Sequence, residues 1–120
     1  MIITAPGNDT QQALTRLRLD VRGPVGGMVE ILATGEIDMD SAPRLGAVVT
    51  DLLGRERLSG IEVNLAAVPF MDSCGINTLI GCLTLAHASQ RQLRVSHPQP
   101  SVRRVLDITG VSGLLGVPTH

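Results

Sequence analysis

From position 16 onward the first apolar residues fall on every second place, with Leu17, Leu19 and Val21 alternating with Arg16, Arg18 and Asp20. A period of two is the spacing of a strand with one wet face. Gly23-Pro24-Val25-Gly26-Gly27 reads as a turn and Met28 to Thr34 as a second strand, so the pair forms a hairpin. The period then lengthens. Ala42, Leu45, Val48, Val49, Leu52 and Leu53 recur at helical spacing on one face. Asp40 or Ser41 can cap that helix, and Pro43 is tolerated in its first turn. Ile61, Val63, Leu65 and Ala67 return to period two, with Glu62 and Asn64 leaning outward. A second helix is predicted from about Ser73 to Ala88, and a short strand around Leu93 and Val95. Pro100 starts a third helix, with Val102, Val105, Leu106 and Ile108 on its inner side and Gly110 as its C-cap. Leu114 to Val117 reads as a last strand.

Strands and helices alternate after an opening hairpin. That order predicts an α/β fold: a mixed, mostly parallel sheet with an N-terminal antiparallel strand and helices in right-handed βα crossovers. Residues 1–13 read as a tail, and 14–118 as one domain. The 120 residues allow little else, since a chain of this size buries about two-thirds of its unfolded surface around a single core.

Composition narrows the chemistry. The chain has no Lys, Trp or Tyr, and its one Phe is Phe70. A Schiff-base enzyme and a Walker-type phosphate loop both need a lysine, and so, as a rule, does an aspartyl-phosphate receiver. Ten Arg against eleven acids give a net charge of −1, with no basic excess to follow a nucleic-acid backbone and no aromatic platform for single strands. No apolar run is long enough to span a bilayer. The start, Met1-Ile2-Ile3-Thr4-Ala5-Pro6, lacks the charged and long apolar stretches of a secretory signal. Cys74 and Cys82 lie on one predicted helix, roughly 12 Å apart along its axis, too far for a disulfide. A cytoplasmic, reduced protein is expected, without membrane or nucleic-acid partners. His87, His97 and His120 have no metal-ligand spacing, so no metal site and no cofactor are expected, and surface roles are the default for all three. Arg103-Arg104 reads as a solvated helix face.

In a parallel sheet, function gathers at the carboxyl ends of the strands. Two loops should meet there: Gly35-Glu36-Ile37-Asp38 and Met71-Asp72-Ser73-Cys74-Gly75. The second puts a small serine at the start of a helix, facing the unpaired N–H groups of the first turn. A phosphate on Ser73 would gain those donors and the positive end of the helix dipole. A serine there serves equally as a plain helix cap, and spacing alone leaves both readings open. Asp38 likewise reads either as a residue that ties down its loop or as one that touches a partner.

Three segments appear in order: Gly35-Glu36-Ile37-Asp38, then Ala66-Ala67-Val68-Pro69-Phe70-Met71-Asp72-Ser73-Cys74-Gly75-Ile76, then Val102-Arg103-Arg104-Val105-Leu106-Asp107-Ile108-Thr109-Gly110-Val111. Together they resemble the STAS family, specifically the bacterial anti-sigma factor antagonists, over residues 16 to 117. The resemblance implies a phosphorylatable binding module rather than an enzyme, so no catalytic residue is assigned. Ser73 matches the serine that the partner anti-sigma factor phosphorylates, that partner being a serine kinase of the histidine-kinase-like ATPase type. The unphosphorylated antagonist binds the kinase and frees a sigma factor, and a PP2C-type phosphatase resets it. The implied partner-binding set is Asp38, Asp72, Ser73, Cys74 and Gly75, with ATP and magnesium belonging to the kinase.

The sequence departs from the family pattern twice. Cys74 replaces the motif's second hydroxyl residue, and a cysteine in a first helical turn can have a depressed pKa. That opens a redox reading beside the plainer one of a small packed residue. Cys82 reads as a core-facing small hydrophobe. The sequence stops at His120, where the family commonly carries another helix. An absent helix would leave Leu114, Leu115 and Val117 for a dimer contact, so a monomer or weak dimer is expected. Two other classes compete with the switch: a STAS scaffold of a transporter or stress-signalling assembly, and a redox- or nucleotide-responsive regulatory subunit.

Overall fold

The computed structural model describes residues 16–55 and 58–116. The predicted tail, the domain limits at 14 and 118, Val117 and His120 lie outside them. The chain runs β1 (Arg18–Val25), β2 (Met28–Thr34), α1 (Ala42–Leu53), β3 (Gly60–Ala67), α2 (Ser73–Ala88), β4 (Gln92–Ser96) and α3 (Pro100–Ile108). The sheet order is β1-β2-β3-β4. β1 pairs antiparallel with β2, and the β2–β3 and β3–β4 pairs are parallel. This is the mixed, mostly parallel sheet that the element order predicts. Among the described residues no helix is long and apolar enough to cross a membrane.

The alternation in β2 to β4 sorts the sheet into two faces. Val29, Ile31 and Ala33, with Ile61, Val63, Leu65, Leu93 and Val95, are buried and form one core with Leu45, Val49 and Leu52 of α1 and Leu79, Cys82 and Ala86 of α2. The intervening residues make a polar face. There Asn64 donates to Glu30 (3.0 Å), and Arg94 and Ser96 donate to the two oxygens of Glu62 at 2.8 and 2.7 Å. The Ser96 hydroxyl, aided by the Arg94 guanidinium, holds the Glu62 carboxyl below its ordinary range.

Several local expectations differ from the structure. β1 continues through Gly23 and Pro24 to Val25, and the turn is only Gly26-Gly27. Positive φ at both glycines (59° and 83°) suits a two-residue hairpin turn. Pro24 is accommodated because β1 is an edge strand whose register shifts between Arg22 and Val25. That edge is barely covered, so of the alternating set Leu17 is buried, Leu19 half-buried and Val21 exposed. Asp40 and Ser41 do not cap α1 through their side chains; the first-turn amides of Ala42 and Arg44 donate instead to the backbone carbonyls of Asp38 and Ser41.

In α3, Val102 and Leu106 are fully buried, but Ile108, expected on the inner side, is 75% exposed. It stands at the helix end, and the chain turns inward only at Val111. Residues 112–116 form turns rather than a strand. Val111 and Leu115 are buried and Leu114 is exposed, while the Leu115 carbonyl accepts the Val95 N–H at 2.8 Å. This strap closes the outer edge of β4, so Leu115 is core and not a surface residue available to a dimer contact.

Candidate functional site

β2 and β3 run in parallel, so the loops that follow them emerge at the same end of the sheet. Beyond β2, Ile37 pairs with Met71 in a parallel bridge. The Ile37 N–H donates to the Phe70 carbonyl (3.1 Å), and the Asp72 N–H donates to the Ile37 carbonyl (3.2 Å). Ile37 and Met71 are both buried beneath the pair. Two loops separated by more than thirty residues in sequence thus behave as one short ribbon. The predicted residues Asp38, Asp72, Ser73, Cys74 and Gly75 all lie on it or at its exit.

On the first loop, Oδ1 of Asp38 accepts the N–H groups of Asp40 and Ser41, each at 3.0 Å. The Asp38 N–H donates to Ser41 Oγ (3.0 Å), and the Ser41 hydroxyl reaches the Glu36 carbonyl at 2.9 Å. The Ser41 amide and hydroxyl, then the Asp40 amide, hold the Asp38 carboxyl below its ordinary value of 3.8. The tying-down role of Asp38 is therefore plain in the geometry. An open depression of about 340 Å³ beside it is bordered by Arg16, Glu36, Asp40 and Arg44.

On the second loop the cap of α2 is Asp72, not Ser73. Its Oδ1 accepts the N–H groups of Cys74 (2.9 Å) and Gly75 (3.2 Å). Ser73 is the first helical residue and is exposed. Cap duty has thus left its hydroxyl. The same bonds revise the expectation for a phosphate: two of the first-turn donors already serve Asp72, leaving the dipole and the Ser73 N–H itself. Gly75 is required for a steric reason. A Cβ there would lie 2.5 Å from Met71 Cγ and 2.9 Å from Ile37 Cγ2, so the helix can sit on the Ile37–Met71 bridge only without a side chain. Cys74 is half-buried against the core and Cys82 is buried, and burial pushes the Cys82 thiol up to about 11. His87 and His97 are exposed.

Two neighbours of the site carried no signal in the periodicity. Met39, next to Asp38, is 70% exposed, and Phe70, on the second loop, is 46% exposed. The only hint for Phe70 was that it is the sole aromatic residue and falls between Pro69 and the Asp72-Ser73 turn. The start of α3 supports that loop: the Ser101 hydroxyl donates to the Pro69 carbonyl and Gln99 to the Ala66 carbonyl, both at 2.9 Å. Arg103 lies 3.9 Å from Asp107 on its own helix.

The family model for the STAS domain matches residues 18–120. The chain belongs to the STAS domain family. Within that family, the anti-sigma-B factor antagonist of Staphylococcus epidermidis is 31% identical over 88 residues, covering 73% of this chain and 81% of the relative. The STAS fold here superposes on an anti-sigma factor antagonist from Mycobacterium paratuberculosis with a TM-score of 0.74, at 24% identity and 86% coverage of each chain. It also superposes on the unphosphorylated form of the anti-sigma factor antagonist SpoIIAA with a TM-score of 0.72, at 21% identity, covering 86% of this chain and 90% of that one. The site of this STAS domain is thus a folded two-loop ribbon that displays a serine, with no cluster of metal-ligating side chains among the described residues.

Proposed function

We propose that this chain is an anti-sigma factor antagonist whose binding state is set by phosphorylation of Ser73. In its unphosphorylated form it binds an anti-sigma factor that is also a serine kinase, and so releases a sigma factor. Phosphorylation by that kinase ends the complex, and a PP2C-type phosphatase restores it. The protein acts in the cytoplasm as a binding module and kinase substrate rather than as an enzyme.

The observation that carries this reading is the division of labour at the start of α2. Asp72 takes both cap bonds, so the exposed Ser73 hydroxyl holds no structural post. Support comes also from the names of the relatives in the staphylococci. A phosphoryl group adds about −1.5 to −2 charge at neutral pH. It would stand beside Asp72, whose carboxylate already occupies the helix terminus, and opposite the loop that carries Asp38. The helix dipole moderates the repulsion without cancelling it. A loss of about 3 kcal/mol in partner affinity is more than a hundredfold, which is switching without refolding.

The test is mass spectrometry of the chain after incubation with ATP, magnesium and candidate anti-sigma factor kinases. One phosphate at Ser73 is expected, with none in Ser73→Ala, which should bind the kinase constitutively. Ser73→Asp should mimic only partly, since it supplies one charge instead of nearly two. Phosphate at any other residue of Ser73→Ala would overturn the site assignment.

A further inference from the structure

The fold buries nearly every large apolar side chain, yet leaves its one aromatic residue in solvent. Seven large hydrophobic residues are exposed among the described ones: Val21, Val25, Met39, Phe70, Leu85, Ile108 and Leu114. Five are scattered over the β1 hairpin, the outer face of α2 and the end of the chain, and scattered apolar residues need no explanation. Met39 and Phe70 are different, because the Ile37–Met71 bridge joins their loops into one surface. Each loop is also tied down by hydrogen bonds close to these two residues. Asp38 and Ser41 lock the backbone on either side of Met39, and Ser101 holds the carbonyl just before Phe70. Rigid, exposed aromatic and thioether side chains are the residue types that carry binding energy at the centres of interfaces.

We propose that Met39 and Phe70 are paired anchors, one on each loop of the ribbon that leads to Ser73, that insert into an apolar cleft of the partner kinase. The ribbon selects the kind of cleft. Its two loops carry Glu36, Asp38, Asp40 and Asp72 and no basic residue; of the two arginines at its border, Arg16 and Arg44, the guanidinium of Arg44 is turned to the Leu17 carbonyl, so the acids stay in excess. The complementary surface is an apolar cleft bordered by cationic side chains facing Glu36 and Asp40. This inference rests on the reading of Ser73 as the phosphorylated residue and deepens it. Apolar contact by the ribbon next to Ser73 excludes water, so a phosphoryl dianion there loses its hydration as well as meeting Asp72. The anchors thereby make the switch sensitive to one modification. Asp38 then acts as a positioning residue for Met39.

The experiment compares wild type with Met39→Ser, Phe70→Ser, Phe70→Met and Val25→Ser. The probe is the kinase that phosphorylates the wild-type chain, without ATP, by calorimetry, with thermal unfolding of each variant alongside. Met39→Ser and Phe70→Ser should each bind about tenfold or more weakly at unchanged unfolding temperature. Phe70→Met, which keeps an apolar anchor, should recover most of the affinity. Val25→Ser, at a position even more exposed but on the β1–β2 hairpin, should bind like wild type. Wild-type affinity in both serine variants at the ribbon, with Ser73 still phosphorylated, would overturn the anchors alone. Failure of every candidate kinase to modify Ser73 would overturn the antagonist reading and the anchors with it.

Discussion

The carboxylate of Asp72 decides what Ser73 is available to do, and it does so with a single oxygen. Its two cap bonds fix the first turn of α2, while its N–H ties that turn to Ile37. Three residues on, Gly75 has no room for a methyl group. Because Met71 and Ile37 are both buried, they cannot swing aside at little cost, and Gly75→Ala should lose about 1–3 kcal/mol, read from urea unfolding. Asp38 gives a pH-dependent counterpart. Its native carboxyl titrates below 3.8, so as pH falls the unfolded chain takes up the proton first. Its contribution is complete above the unfolded value and disappears as pH drops through the native one. The stability gap between wild type and Asp38→Ala should therefore hold steady above about pH 5 and narrow progressively as the pH falls below the unfolded value of 3.8. A gap that stays constant across that range would mean the carboxylate is not what holds the loop. Little of this was legible in the sequence. The Asp72-Ser73-Cys74-Gly75 run announced a helix start, but either of two neighbouring oxygens could have capped it, and only geometry separates them. For α1 no side chain takes the cap: Asp40 and Ser41 looked equally suitable, but the Ser41 hydroxyl turns back to the Glu36 carbonyl and the first-turn amides go to backbone carbonyls.

At the scale of elements, β3 and α1 were legible because each declares its period over many residues, whereas α2, apolar nearly all round, was placed by its start at Ser73. The failures fall where a pattern is short. Leu114 to Val117 looks the same whether it pairs as a strand or folds over an edge, and the difference lies in one hydrogen bond from Val95 to Leu115. That bond makes the strap testable. The Val95 amide should be protected from hydrogen exchange in wild type. In Leu115→Ala, which removes a fully buried side chain at a cost of about 2–5 kcal/mol, its protection should fall to the level set by local opening. The Ile31 and Val63 amides of the inner strands should keep their greater protection. Equal loss at all three would show that the strap is not a separate unit. Ile108 was misplaced for a related reason: in so short a helix the last turn can leave the core without disturbing the period of Val102 and Leu106.

At the scale of the molecule, the two faces of the sheet have different tasks. One is sealed by helices, the other is a ladder of satisfied polar pairs, and the rim where β2 and β3 end carries the ribbon to which we assign recognition. The class of the fold and the location of that rim followed from the order of strands and helices. The presence of Met39 and Phe70 on it did not, because exposure of a lone apolar residue leaves no periodic trace. The Ile37–Met71 bridge also has a bearing on how the serine is found. Ser73 owes its placement to a residue more than thirty positions earlier, and it begins a helix instead of lying in an extended stretch. A kinase that reads it is reading a conformational epitope, not a string of amino acids. A synthetic peptide covering residues 66–80 contains every motif residue of the second loop, but none of the first loop. It should be a very poor substrate beside the folded chain, with incorporation of labelled phosphate as the measure. Comparable rates would mean that the motif is recognised as linear sequence. If the shape is what is read, any other protein that displays the same serine in an unstructured segment is ignored, and the specificity of the pathway is written in a tertiary contact.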